Sequence, residues 1–303
     1  MRGETFAFLI AAVGRISTYL CIVGAMGACA FRWGVVRRLA STDPWVQSIE
    51  GRVARFGFLA SVTFLGAGLL RLFAQTYGIF GVDEPLSVES FRVVLLQTSW
   101  GTSWIAQMVC GLVLAESFVW ARYQPRLGWA LCLLATGALG VSIPLTGHAM
   151  SEGMGWFSVA LQSVHVLAVS VWLGTLFVML RMGFGAAPSE RRDGVARDMV
   201  ERFSPLALVA VSMLVVSGSI TAVTYLDAWA QLWNTGYGKA FLLKIGFFLM
   251  AAGYGAYNWR RLRPTMNSSV GRDRLAQSAG MELAAAVFVL IVTSVLVALP
   301  IEG

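Results

Sequence analysis

Charge is scarce in this sequence and histidine scarcer still. Only 13% of its 303 residues are charged, roughly half the share of an ordinary soluble domain. A soluble protein of this length could not cover its surface with so little. The four cysteines, Cys21, Cys29, Cys110 and Cys132, form no C-x-x-C pair and lie in apolar runs. That spacing argues against a disulfide framework or a structural zinc site and reads as small buried hydrophobes. There is no G-x-S-x-G, no H-E-x-x-H and no P-loop, so neither hydrolytic catalysis nor a nucleotide-driven pump is expected. The chain reads as a non-enzyme.

What is present is apolar. Of the residues, 57% are hydrophobic and the mean hydropathy is +0.70. The formal charge of +7 comes in short clusters between long apolar runs, as in the loops of a membrane protein. No basic stripe alternates with stacking aromatics, so nucleic acid is not an expected partner and membrane lipid is.

A membrane-crossing helix needs about 20 mostly apolar residues. Eight segments qualify: 6–31, 55–79, 100–121, 128–147, 157–180, 204–226, 239–258 and 280–300. They are too long and too uniformly apolar for barrel strands. Arginine sets the orientation. One set of alternate loops holds Arg32, Arg37, Arg38, Arg52 and Arg55, then Arg122 and Arg126, then Arg181, Arg191, Arg192, Arg197 and Arg202, then Arg260, Arg261, Arg263, Arg272 and Arg274. The other side has only Arg2, Arg92 and Lys239. The positive-inside rule then puts both termini outside. A cleaved signal peptide at Ala28-Cys29-Ala30 is the rival reading. Arg32, Arg37 and Arg38 just beyond it resist translocation, and a seven-span product would reverse the loop alternation.

The sequence repeats itself. Thr98-Ser99-Trp100-Gly101-Thr102-Ser103-Trp104 matches Thr235-Gly236-Tyr237-Gly238-Lys239-Ala240-Phe241 in Thr, aromatic, Gly and aromatic, and each copy opens a span. Upstream, Arg55-Phe56 and Arg202-Phe203 open spans two and six. Four spans separate the copies, which predicts a parallel repeat with its axis along the membrane normal. The expected fold is all-α and integral to the membrane: eight transmembrane helices as two parallel four-helix repeats, 1–147 and 148–303.

The two histidines are His148, at the outer end of span four, and His165, about two turns into span five from the outer side. A short loop from Met150 to Trp156 joins their helices. Imidazole inside a membrane is costly without a partner and marks a functional site by default; the bland reading is one histidine on a carbonyl and one in solvent. Met150 and Met154 flank the loop, and Met108 lies in the outer half of span three. Thioether with imidazole suits Cu(I), while Glu152 is the loop's only carboxylate, which disfavours Mg(II), Ca(II) and Mn(II). Trp172, seven residues after His165, is expected on the same helix face. Gln162, three before it, is placed to orient the imidazole. Gly174 would admit a close helix. Arg15, Arg71 and Lys244 fall inside spans, as does Glu116 near an inner end; snorkelling or helix pairing explains them, whereas Lys244 and Arg71 lining a pathway would favour anions or gate cations.

These residues resemble a known family. Gly147-His148-Ala149, then Val164-His165-Val166-Leu167-Ala168 with Val171-Trp172-Leu173-Gly174, then Arg202-Phe203-Ser204-Pro205-Leu206-Ala207, Ser217-Gly218, and Thr235-Gly236-Tyr237-Gly238-Lys239 through Leu242-Leu243-Lys244 are similar, in order, to motifs of the copper resistance protein D (CopD/PcoD-like) inner-membrane family. Two positions depart from its pattern: Gln162 stands in place of an aspartate and Thr175 in place of a second glycine. The resemblance implies a multi-pass protein of the bacterial inner membrane that takes copper from the periplasmic side, with a CopC-like periplasmic carrier as donor. The expected metal site is His148, His165, Met150 and Met154, supported by Gln162, Trp172 and Met108, with Cu(I) as cargo. Two alternatives stay open: a b-type cytochrome whose two histidines hold one haem b, and a non-transporting copper-delivery or assembly factor.

Overall fold

The long apolar runs leave the backbone one economical way to satisfy its polar groups in lipid, which is continuous helix. The structure, a computed structural model, describes residues 2–39, 44–81, 85–146, 155–184, 192–225, 230–266 and 268–296. Every secondary element among them is helical. In chain order they are α1 (Arg2–Gly34), α2 (Pro44–Ile79), α3 (Val88–Gln97), α4 (Ser99–Tyr123), α5 (Pro125–Ser142), α6 (Gly155–Gly183), α7 (Arg192–Tyr225), α8 (Gln231–Asn234), α9 (Gly236–Thr265) and α10 (Ser269–Leu296).

Seven of these, α1, α2, α4, α6, α7, α9 and α10, are long and apolar enough to cross a bilayer. The expected span 128–147 is the exception. Its helix, α5, has 18 residues, a length of about 27 Å against a hydrocarbon core of about 30 Å. It opens on Pro125 and Arg126 and passes into a 3-10 turn at Pro144–Thr146, where proline offers no amide to continue the ladder.

Elsewhere the helices overrun their apolar windows, chiefly toward the arginine-rich ends. α2 begins at Pro44, α7 at Arg192 and α10 at Ser269, each about ten residues before the expected span. Once a helix is nucleated, adding a turn costs little, and pairs such as Arg197 with Glu201, 2.9 Å apart, sit on these wet turns. At the same end Arg32 ties three helices together. Its Nε lies 2.7 Å from Glu50 of α2, and its guanidinium stands 5.7 Å from the Trp129 ring centroid of α5. Trp33 Nε1 donates to the Trp129 carbonyl at 3.1 Å, so indole and guanidinium close the seam between α1 and α5.

α1 is the central helix, packed against α2, α5, α6, α7 and α10. Its tightest contact is with α6. A Cβ added at Gly27 would overlap the Gly174 backbone, and one at Gly174 would overlap the Val23 carbonyl oxygen. Only glycine at both positions lets the two backbones meet. Gly174 closes a π turn, Ser170–Gly174, and a second π turn, Met179–Gly183, ends α6.

The two copies of the Thr-aromatic-Gly-aromatic stretch fold alike. Thr98 caps α4 by accepting from the Gly101 amide at 3.0 Å, and Thr235 caps α9 by accepting from Gly238 at 2.9 Å. Each hydroxyl also donates back, to Val94 O at 2.6 Å and to Gln231 O at 2.8 Å. A side chain at Gly101 or Gly238 would strike those same carbonyls. The motif is a helix start packed on the end of a short preceding helix, α3 in one case and α8 in the other.

Candidate functional site

His165 projects from α6 toward α7 and is half-buried. Its Nδ1 lies 3.0 Å from the Ser217 hydroxyl. That hydroxyl has one proton, and a strong acceptor for it stands on its own helix, the Met213 carbonyl at 2.7 Å. With the proton given there, Ser217 Oγ accepts from Nδ1–H. The imidazole is then held as the tautomer whose Nε2 carries the lone pair, the arrangement a metal-ligating histidine needs. Gly218 leaves room beside the ring: a Cβ there would sit at an ordinary 3.6 Å from Cε1.

The surroundings are open. Phe157, Leu161 and Val164 of α6 and Met213, Val216 and Ser217 of α7 line a shallow apolar groove on the outside of this pair. On the other side, α7 and α9 barely touch, whereas α2 and α4 pack along their length. Lys244 of α9 stands across that separation from His165. Between α2, α4 and α5 no such separation is left. Arg71 Nη1 donates to Gln107 Oε1 at 3.2 Å, and Gln107 Nε2 donates to the Ser142 carbonyl at 2.9 Å. Arg71 also stands 5.9 Å from the Trp100 ring.

His148, Met150, Met154 and Glu152 lie outside the described residues, so His165 is the one expected metal ligand whose place is known. Met108 is turned to α2, its thioether against Gly68 and beside Trp104, and does not line the groove. Gln162 is half-buried on α6. Trp172 does not share the surroundings of His165. The π turn carries it to α9 and α10, where its ring meets Phe248 edge-on at 6.0 Å and its Nε1 donates to Glu282 Oε1 at 2.9 Å. The seven-residue spacing assumed a regular α-helix, and the wider π turn departs from it. No group of three or more metal-ligating His, Cys, Asp or Glu side chains occurs among the described residues.

Two residues emerge that the sequence reading passed over. Met213, one turn before Ser217, puts a thioether on the groove; it reads as an ordinary apolar residue in its run. Glu282 is the only carboxylate in the expected span 280–300, a signal that was available. It is 3% exposed, with Trp172 on one oxygen and Asn258 Nδ2 on the other at 2.9 Å.

Comparison with known proteins places this geometry. The family model described as copper resistance protein D-like, N-terminal domain, matches residues 6–156, and that described as copper resistance protein D matches 197–296. The chain belongs to the copper resistance protein D family. The second match carries Ser217, Lys244, Asn258 and Glu282, while His165 falls between the two. The chain is also similar to the copper transport protein CutJ of Bacillus subtilis (strain 168), with 28% identity over 215 residues. That alignment covers 69% of this chain but 38% of the relative, so the chain spans well under half its length. No solved structure matches. Family membership and the apolar helices make this a multi-pass membrane protein of the copper resistance protein D family.

Proposed function

We propose that the protein carries copper, as Cu(I), inward from the periplasmic face of the bacterial inner membrane. The observation that carries this reading is the His165–Ser217 bond, which holds the imidazole as the tautomer with its lone pair on Nε2 in a family of copper-resistance proteins. A neutral imidazole binds Cu(I) without losing a thiol proton, so the ion can be released as readily as it is taken. His148, Met150 and Met154 complete the outer site on this reading. Lys244 opposes a second positive charge at His165 and so shortens the stay of the ion there. A CopC-like periplasmic carrier is the proposed donor. The chain's role is transport without catalysis.

The architecture proposed with it is eight spans, α5 being the eighth, arranged as parallel repeats 1–147 and 148–303 with both termini outside. Gly27 and Gly174 support the repeat: they meet each other and are separated by the same length of chain as Arg55 and Arg202. Equivalent residues touch only on a symmetry axis. The matched caps of α4 and α9 support it as well. A cysteine-accessibility scan of both termini and the α4–α5 turn tests the topology.

The function is tested in cells and in liposomes. Wild-type protein is expected to raise cellular copper and to admit Cu(I) into proteoliposomes, and His165→Ala is expected to abolish both. Copper binding without flux would identify a delivery or assembly factor instead. A Soret band in the purified protein, lost in His148→Ala and in His165→Ala, would identify the one-haem cytochrome.

A further inference from the structure

We propose that Glu282 is a proton-binding site of the membrane domain, and that its proton is the coupling ion of the transport cycle. The second half of this statement rests on the copper-transport reading; the first does not.

Burying an ionised carboxylate in a low-dielectric helix bundle is costly unless a cation pairs with it or donors satisfy it. No ion pair to Glu282 occurs among the described residues. The charged groups of the packed elements are placed elsewhere: Arg15 of α1 donates to the Ser294 carbonyl near the outer end of α10, and Arg260 and Arg261 of α9 are exposed. Glu201 of α7 pairs with Arg197. Arg202 follows it near the inner end of α7, and Tyr254 stands one turn before Asn258. What faces the carboxyl is neutral. Trp172 Nε1 and Asn258 Nδ2 each donate to one oxygen at 2.9 Å.

The choice of partners matters. An indole N–H serves a carboxylate and also the carbonyl oxygen of a carboxylic acid, so Trp172 can keep its bond to Oε1 in either state. A primary amide serves both states at the other oxygen: its NH2 donates to a carboxylate, and after a half-turn its carbonyl accepts from an acid O–H. Asn258 Oδ1 is buried with no partner among the described residues, so the half-turn that would bring it to the neutral acid breaks no bond of that oxygen. An arginine or lysine would hold the ionised form permanently, and an apolar pocket would hold the neutral one. This pocket accommodates both at similar cost.

Position and local geometry agree. Trp172 and Asn258 both lie in π turns, Ser170–Gly174 and Asn258–Leu262, and such turns recur at functional sites. Ser278, one turn toward the arginine-rich end of α10, is buried and its hydroxyl has no partner among the described residues. It offers a proton a polar step between Glu282 and the inner face. Gly255 leaves the carboxyl room: a Cβ there would stand 3.1 Å from Oε1. In the step itself, one H+ from water bonds to Oε2 and the carboxylate becomes a neutral acid. No heavy-atom bond changes and no electron moves.

The experiment uses the full chain in lipid nanodiscs and infrared difference spectroscopy across a pH titration. Of 16 acidic residues, Glu282→Gln removes one. Wild type is expected to show a carboxylic-acid C=O band that rises as pH falls and is missing in Glu282→Gln. Trp172→Phe is expected to shift the band's frequency, because one of its donors has gone. The shift keeps the test valid should Glu282→Gln fold poorly. A wild-type spectrum with no such titrating band, or a band that Trp172→Phe leaves in place, overturns the proton site. In proteoliposomes loaded with a Cu(I) chelator, an imposed pH gradient is expected to change wild-type flux severalfold and to leave Glu282→Gln flux unchanged. A titrating band with wild-type flux indifferent to the gradient overturns the coupling role. A titrating band with no wild-type copper flux at all refutes the copper reading and upholds the proton site.

Discussion

Ser217→Ala removes one oxygen, and its effect on copper can be worked from two bonds. In the wild type the Ser217 proton goes to Met213 O at 2.7 Å, which makes Oγ the acceptor for Nδ1–H of His165 at 3.0 Å. Without Oγ, Nδ1–H has no partner in a half-buried site. The ring can relieve this by moving its proton to Nε2, which takes the lone pair away from the open side. An orienting hydrogen bond to a ligating histidine is worth 10–100-fold in metal affinity, or about 1.4–2.7 kcal/mol. Water reaching a half-buried ring recovers part of that, so a loss of about tenfold is expected. Fold stability should change little, because Met213 O and Leu214 O keep their helical amide partners. The assay is anaerobic competition with a chromophoric Cu(I) chelator on detergent-purified protein. Ser217→Thr, which retains a hydroxyl, should restore affinity. If Ser217→Ala binds as tightly as wild type while His165→Ala does not bind, the tautomer argument is wrong.

Other outcomes follow from the same geometry. Lys244→Gln removes the charge opposing a cation at His165 and should tighten Cu(I) binding severalfold while slowing its release, read by the same competition and by stopped-flow transfer to chelator. Gly174→Ala forces a Cβ into the Val23 carbonyl and should cost about 1–3 kcal/mol, seen as a lower midpoint of thermal unfolding in detergent. Gly218→Ala, whose Cβ meets only an ordinary 3.6 Å contact with His165, is the control and should unfold at the wild-type temperature; equal losses in both would refute the close crossing of α1 and α6.

Much of the fold was legible because lipid restricts the backbone so severely. Seven of the eight expected segments are helices of spanning length, since hydropathy alone decides which runs stay helical in a bilayer. The helix ends were less legible. Hydropathy reports where lipid begins, not where a helix stops, so α2, α7 and α10 start about ten residues before their apolar windows. α3 was missed because Val88–Gln97 is too short and mixed to register as a span. At the site, His165 stood out by rarity, and Ser217-Gly218 by its likeness to a family motif, but nothing in the sequence marked Ser217 as the partner of His165. Trp172 was assigned to the face of His165 on ordinary helical spacing, and no sequence pattern marked the π turn that carries it to Glu282, 110 residues away. Glu282 itself was visible as a lone acid in an apolar run. Its two donors, which give it meaning, were not.

The meeting of Gly27 with Gly174 has a mechanical side. Helices that interlock through large side chains resist any change of crossing angle, because knobs must climb out of holes. Here the contact is backbone on backbone with nothing to climb. Sliding α6 by one turn, about 5.4 Å, would drive Ser170 or Val178 into the place only glycine fits. Translation is therefore blocked while tilting is not, and α1 and α6 are joined as the arms of a pair of scissors are, at one pin.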